Sequence, residues 1–220
     1  SMVGTREVSP SGMHVCDKLI GGLAPLVDDL CIVSGLAYGV DATCHRSAMN
    51  HDVTTVAVVA SRLPEVSPAP HRTLAEDIIK RGGALVTELH SQTRQNGSYF
   101  LARNRIIAAI SMGTLVVESP ASGGSLTTAD MADGYGRLVM AVPGRITDVS
   151  SFGCNNLIRS GKARLVLTPP DIIEDMGWRI SDKCNDDKVV GDENLEALSP
   201  AERMTLTAFD RSVMLDWAQL

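Results

Sequence analysis

No stretch of this sequence reaches the ~18 consecutive apolar residues that a membrane-spanning helix needs, so no membrane partner is expected. A secretory leader pattern is also absent, and Ser1-Met2 reads as a cloning remnant outside the fold. The five cysteines, Cys16, Cys31, Cys44, Cys154 and Cys184, are odd in number and scattered, and no two form CxxC. That argues against a zinc ribbon or a thiol–disulfide motif and points to a reduced, cytoplasmic chain with neither metal nor cofactor. Neither GxGxxG nor the P-loop pattern occurs, so the usual dinucleotide and NTP fingerprints are missing. There is no internal repeat.

What is present is a chain of 220 residues, 44% hydrophobic, enough for one ordinary domain plus a tail. The net charge of −6 argues against nucleic acid until its distribution is read. Residues 171–220 hold 12 acidic against 5 basic residues, whereas 1–170 hold 14 against 15. The body is near neutral, and binding follows local patches rather than totals.

The stretch LCIVSGLAYGVDATCHRSAM (30–49) organises the rest. A short apolar run leads into a loop, Ser34 to Val40, and a helical pattern begins at Asp41, a candidate N-cap. Glycines at Gly35 and Gly39 let backbone approach an anion, and the unpaired N–H groups of a helix start point the same way. Taken alone, the loop fits an ordinary strand-to-helix turn as well as a phosphate cradle.

In chain order, VGTR (3–6) reads as the end of a first strand, most of which is expected to lie outside the sequence. Ser9-Pro10 opens a helix whose apolar face is Cys16, Leu19, Ile20, Leu23, Leu26 and Val27, closed by Asp28-Asp29. TTVAVVA (54–60) is continuously apolar, as in a strand covered on both faces. Prolines make 61–70 a loop, and residues 74–81 a helix ended by Gly82-Gly83. Further strands are expected at 84–88, 114–118, 138–142 and 164–167. Further helices are expected after Phe100, from Leu126 with Ser125 or Thr127 as cap, and over 153–161. The helix after Phe100 puts Arg103 and Arg105 on its first turns, where cations oppose the dipole; either they are used, or they are solvated. Strands alternating with helices through short crossovers define an α/β, Rossmann-like, doubly wound, mostly parallel sheet, whose ligands sit beyond the strands' carboxyl ends. The expected organisation is a core over 3–170, an acidic linker over 171–197, and the start of a truncated or divergent helical module over 198–220.

The motifs VGTR (3–6), SGLAYGVDATCH (34–45), FLARNRIIAAIS (100–111), SGGSLTTADMA (122–132), VPG (142–144) and GCNNLIRSGKA (153–163) occur in an order that resembles the DNA-processing protein A family (DprA, also called Smf). The resemblance implies a non-enzymatic protein of natural transformation that binds single-stranded DNA, loads a RecA-type recombinase and forms a homodimer. It assigns DNA contact to Arg6 with Gly4 and Thr5, and to Phe100, Arg103 and Arg105. It lines the pocket with Ser34, Gly35 and Gly39 and with Gly123, Gly124 and Ser125. It places Asn155, Leu157, Ile158 and Arg159 at the dimer surface, and reads 198–220 as the beginning of a winged-helix-like module. The family's Tyr-Pro-basic segment is replaced here by Ser67-Pro68-Ala69; His71 or Arg72 is the candidate substitute for the charge. The family's Ala-His is Cys44-His45, and Lys162 interrupts the usual Gly-Ala pair.

Read for chemistry, backbone N–H groups plus a few arginines hold phosphates without reading sequence, and Phe100 or Tyr99 offers a stacking face. The competing class is a nucleotide-processing enzyme of the lysine-decarboxylase-like (phosphoribohydrolase) group, whose PGGxGTxxE loop corresponds to SGGSLTTAD here without the glutamate. Glu88 and Glu118, at strand ends, are the alternative bases or, more simply, loop caps. His45 fits a structural hydrogen bond better than a metal or catalytic role.

Overall fold

In the computed structural model, which describes residues 1–94 and 96–181, the chain runs β1 (Met2–Val3), α1 (Pro10–Leu23), β2 (Cys31–Ser34), α2 (Val40–Asn50), β3 (Thr54–Val58), α3 (Arg72–Lys80) and β4 (Ala84–Val86). It continues through α4 (Ser98–Ile110), β5 (Gly113–Val116), α5 (Gly124–Gly134), β6 (Leu138–Ala141), α6 (Phe152–Arg159), β7 (Arg164–Leu165) and α7 (Pro169–Met176). All strand pairs are parallel and fall into two ladders, β1-β5-β6-β7 and β2-β3-β4. The ladders meet where the buried Ser34 hydroxyl donates to the Met2 carbonyl at 2.7 Å. Met2, set aside from sequence, is therefore a strand residue.

Side chains alternate across this sheet with the period of two that a strand imposes. Met2, Ile32, Leu115, Val117 and Met140 pack with Cys16, Leu19 and Ile20 of α1, Cys44 of α2 and Ile172 and Ile173 of α7. Their neighbours Val3, Val33, Val116 and Ala141 face the other way, onto Ile107 of α4, Ala129 of α5 and Leu157 of α6. A third cluster joins Ala57 and Val59 to Leu74 and Ile78 of α3. Helices on both faces of a parallel sheet make the fold Rossmann-like and doubly wound.

Several boundaries differ from the sequence reading. Helix α1 ends at Leu23: Ala24 keeps helical backbone at φ −51° and ψ −47°, but Pro25 has no N–H to continue the ladder. Leu26 and Val27 lie in the turn beyond, both bonded to the Leu23 carbonyl. Helix α4 begins at Ser98, so Arg103 and Arg105 are past its first turn and the dipole argument does not apply to them. The compact unit extends to Ser181, beyond the boundary expected at 170. Thr168 and Asp171 form a capping box, prolines follow the cap, and Gly177 closes α7 in the left-handed conformation at φ 62°. Burial of Ile172 and Ile173 anchors that helix. The expectations for 182–220 lie outside the described residues.

Among the described residues no helix is long and apolar enough to cross a membrane. Nor is any group of three or more His, Cys, Asp or Glu among them placed to hold a metal ion.

Candidate functional site

The carboxyl ends of β1 and β5 open onto a cavity of about 440 Å³. The turn after β1 supplies Gly4, Thr5, Arg6 and Glu7; α4 supplies Phe100, Arg103 and Asn104; the turn into α5 supplies Gly123, Gly124 and Ser125. Ser34, Gly35, Gly39, Arg72 and Arg105 are not among the lining residues.

Arg6 is the exposed cation of this group, its guanidinium carbon 5.7 Å from the centre of the Phe100 ring. It forms no ion pair among the described residues. On the opposite wall, α5 starts at an N-cap, Gly123, that offers no side-chain hydrogen bond. The Ser125 hydroxyl turns back to Ser119 Oγ at 2.9 Å. The first amides of α5 therefore carry the positive end of its dipole to the cavity, as an anion site requires.

The first glycine turn is built differently from the expectation. Asp41 does not cap α2; Gly39 holds that position. The Asp41 carboxylate instead accepts from the Gly35 amide at 3.1 Å and the Ala37 amide at 3.3 Å. An internal carboxylate thus takes the donors that were candidates for a phosphate. Burial pushes the Asp41 pKa up, opposed by the nearby Arg103 charge and by the bonds from these amides. Gly39 lies at φ 74°, and a Cβ there would collide with the carbonyl of Thr5. Only glycine lets the Thr5-Arg6 backbone pass this close to α2, where the Val40 amide bonds Thr5 O at 3.1 Å.

Arg103 is buried, 5% exposed, and donates from Nη1 to the carbonyls of Gly35 and Val58. Ser34 is spent on the tie to Met2, and Arg105 is ion-paired with Glu88. Arg72 pairs with Glu76 on an exposed face of α3. His71 does not replace a surface charge. It is buried, and its Nδ1 donates to the Leu36 carbonyl at 2.8 Å, with Tyr38 packed edge-on at 4.8 Å.

His45 is fully buried, with Nδ1 2.7 Å from Thr55 Oγ1. The Thr55 hydroxyl proton is used on the Ile32 carbonyl, so His45 Nδ1 must be the donor and Nε2 keeps a bare lone pair. That nitrogen has no hydrogen-bond partner among the described residues. Burial, with the Arg103 charge second, lowers the His45 pKa to about 3.

Of the expected dimer residues, Leu157 is buried in the core and the Asn155 side chain brackets Gly144, donating to its carbonyl and accepting from its amide. Ile158 is partly buried and Arg159 is exposed. The two candidate bases are also engaged: Glu118 accepts from the amide and hydroxyl of Ser9 at 3.1 and 2.9 Å, and Glu88 holds Arg105.

Fold and cavity together define a doubly wound α/β protein with a pocket at the strand ends, lined by an exposed arginine, an aromatic ring and the start of a helix. Residues 1–177 match the family of DNA recombination-mediator protein A, and the chain belongs to that family. It is 39% identical over 208 residues to a putative DNA processing protein DprA of Mycobacterium tuberculosis, covering 94% of this chain and 52% of that protein. The X-ray structure of DprA from Streptococcus pneumoniae superposes with a TM-score of 0.72 at 36% identity, over 79% of this chain and 59% of that one. DNA processing protein A from Helicobacter pylori, whose single-stranded DNA binding mode has been described structurally, superposes with a TM-score of 0.70 at 25% identity, over 80% and 78%. The chain spans about half the length of the Mycobacterium tuberculosis relative.

Proposed function

We propose that the cavity between the β1 turn and α5 binds single-stranded DNA without reading its sequence, and that the protein presents the strand to a RecA-type recombinase without catalysing a reaction on it. Arg6 meets a phosphate, the first amides of α5 meet another anionic oxygen, and a base stacks on Phe100. The observation that carries this reading is the convergence on one cavity of an aromatic face, an uncapped helix start and an arginine that forms no ion pair among the described residues. The same reading makes the protein a cytoplasmic homodimer serving natural transformation, with Ile158 and Arg159 on its self-association face.

What favours binding over nucleotide hydrolysis is the engagement of Glu118 with Ser9 and of Glu88 with Arg105, which leaves neither carboxylate facing the cavity as a base. Incubation with nucleoside monophosphates is accordingly expected to release no free base.

The decisive experiment is fluorescence anisotropy of a labelled oligothymidylate with wild type and Arg6→Ala at two salt concentrations. Binding that weakens with salt, and by tenfold or more in the variant, supports the reading. A folded Arg6→Ala protein that binds as wild type overturns it.

A further inference from the structure

Two adjacent residues of α4 each reach one of the two glycine turns. Arg103 Nη1 donates to Gly35 O at 2.5 Å and also to Val58 O, at the end of β3. Asn104 Nδ2 donates to Gly124 O, at the start of α5, at 3.2 Å. The pair is itself tied, Arg103 Nε to Asn104 Oδ1 at 3.3 Å. The guanidinium also occupies the space beside Gly35, where a Cβ would stand 2.6 Å from Arg103 Nη2. From the other side, the Asp41 carboxylate holds the amides of Gly35 and Ala37. The first turn is thus gripped by its carbonyl and by its amides at once, and α4 spans from it to the second turn.

A guanidinium removed from water is tolerable when hydrogen bonds and an opposite charge offset its lost hydration. Here backbone carbonyls supply the bonds, and Asp41 supplies the charge. Burial depresses the Arg103 pKa while Asp41 raises it, so the two groups stabilise each other's ionised form. An arginine held in this way is poorly placed to reach out for a phosphate.

We propose that Arg103 is a positioning residue: together with Asn104 it sets the separation of the two glycine turns across the cavity, and it acts on DNA through them rather than by contact. This rests on the single-strand reading of the same cavity. The prediction separates Arg103 from Arg6. A phosphate contact contributes about one unit to the slope of log affinity against log salt, whereas a positioning residue contributes none.

The test titrates a labelled oligothymidylate across a salt series with Arg6→Ala, Arg103→Met and the double variant Arg103→Met/Asp41→Asn. The double variant removes both buried charges and carries the test where the single variant fails to fold. Arg103→Met is expected to weaken binding tenfold or more at the wild-type salt slope, and Arg6→Ala to lower that slope by about one. Wild-type protein supplies a readout that needs no variant: the Arg103 Nε–H resonance in NMR is expected to be protected in the free protein and unmoved by DNA, while that of Arg6 shifts. A salt slope reduced by about one in a folded Arg103 variant, wild-type affinity in that variant, or an Arg103 resonance that moves with DNA as far as that of Arg6 overturns the positioning role. Wild-type affinity and slope in Arg6→Ala instead sink the DNA reading itself, whatever Arg103 does.

Discussion

Arg6 rests its guanidinium on the face of Phe100, 5.7 Å from the ring centre. At an exposed site such a contact contributes about 0.5–1 kcal/mol. A nucleobase stacking on the same ring contributes about 1–3 kcal/mol. On the proposed reading base stacking is the stronger of the two contacts, so an arriving base is expected to displace Arg6 and free its charge for the phosphate next to that base. Phe100→Leu keeps an apolar side chain and removes the stacking face. It is expected to weaken oligonucleotide binding by about 1–3 kcal/mol, roughly 5- to 150-fold, with the salt slope intact. Anisotropy across a salt series checks this, and a variant with wild-type affinity would show that no base uses the ring.

Gly39 governs the same arginine from the other side. Its φ of 74° is costly for an L side chain, and the Thr5 carbonyl fills the position of a Cβ. Gly39→Ala is expected to cost about 1–3 kcal/mol in backbone strain, before any clash with Thr5 is counted. For a chain of this size that is a fall in Tm of roughly 2–12 °C. Calorimetry measures the fall. DNA binding should weaken with it, because the substitution pushes the Thr5-Arg6 backbone away from α2. A variant with unchanged Tm would remove the close-approach argument.

The layered architecture is legible from the chain because it rests on local pattern. TTVAVVA over 54–60 is apolar from Val56 on, and that part of β3 is in fact covered on both faces. Helix α7 is also written locally, in Thr168-Pro169-Pro170-Asp171 and Gly177, but the acidic composition that begins at Asp171 masks it. The division of labour among the charged residues depends on distance in sequence instead. Arg103 and the Gly35 carbonyl it holds are 68 residues apart, and nothing in either segment announces the pairing. An arginine near a glycine-rich pocket looks like a phosphate ligand until β3 and the 34–40 turn are seen closing over it. Asp41 misleads for a related reason: its place at a helix start suggests a cap, yet the turn bends back and offers two amides that are better partners.

His45 makes the fold sensitive to acid. Its imidazole is fully buried, and its folded pKa of about 3 lies below the ordinary value of 6.5. Between those limits the unfolded chain binds a proton that the folded chain does not, so stability falls as pH drops below 6.5. By pH 4 the loss attributable to this residue is roughly 3 kcal/mol. Asp41 works in the opposite sense, because its raised pKa makes the folded state the better proton binder above 3.8. The contribution of His45 is therefore isolated by difference. Urea unfolding of wild type and His45→Gln between pH 7 and pH 4 should show the wild type losing stability more steeply. Parallel curves would mean that the imidazole is not held neutral.

Helix α6 carries a buried, a half-buried and an exposed residue at adjacent positions. Leu157 is 8% exposed and packs with Val116 and Ala129, whereas Ile158 is only partly buried and Arg159 is exposed. Leu157→Ala opens a cavity in the core and is expected to cost about 2–5 kcal/mol of stability while leaving association unchanged. Ile158→Glu places a charge on the face proposed for self-association, where an unpaired carboxylate is costly once covered and cheap in water. It is expected to convert a dimer to a monomer, with a loss of Tm smaller than that of Leu157→Ala because Ile158 packs only partly against the core. Light scattering combined with thermal unfolding reads both quantities on the same samples. Dissociation by Leu157→Ala at unchanged Tm would mean that α6 turns its other face to the partner, and an Ile158→Glu dimer as stable as wild type would place self-association elsewhere on the protein.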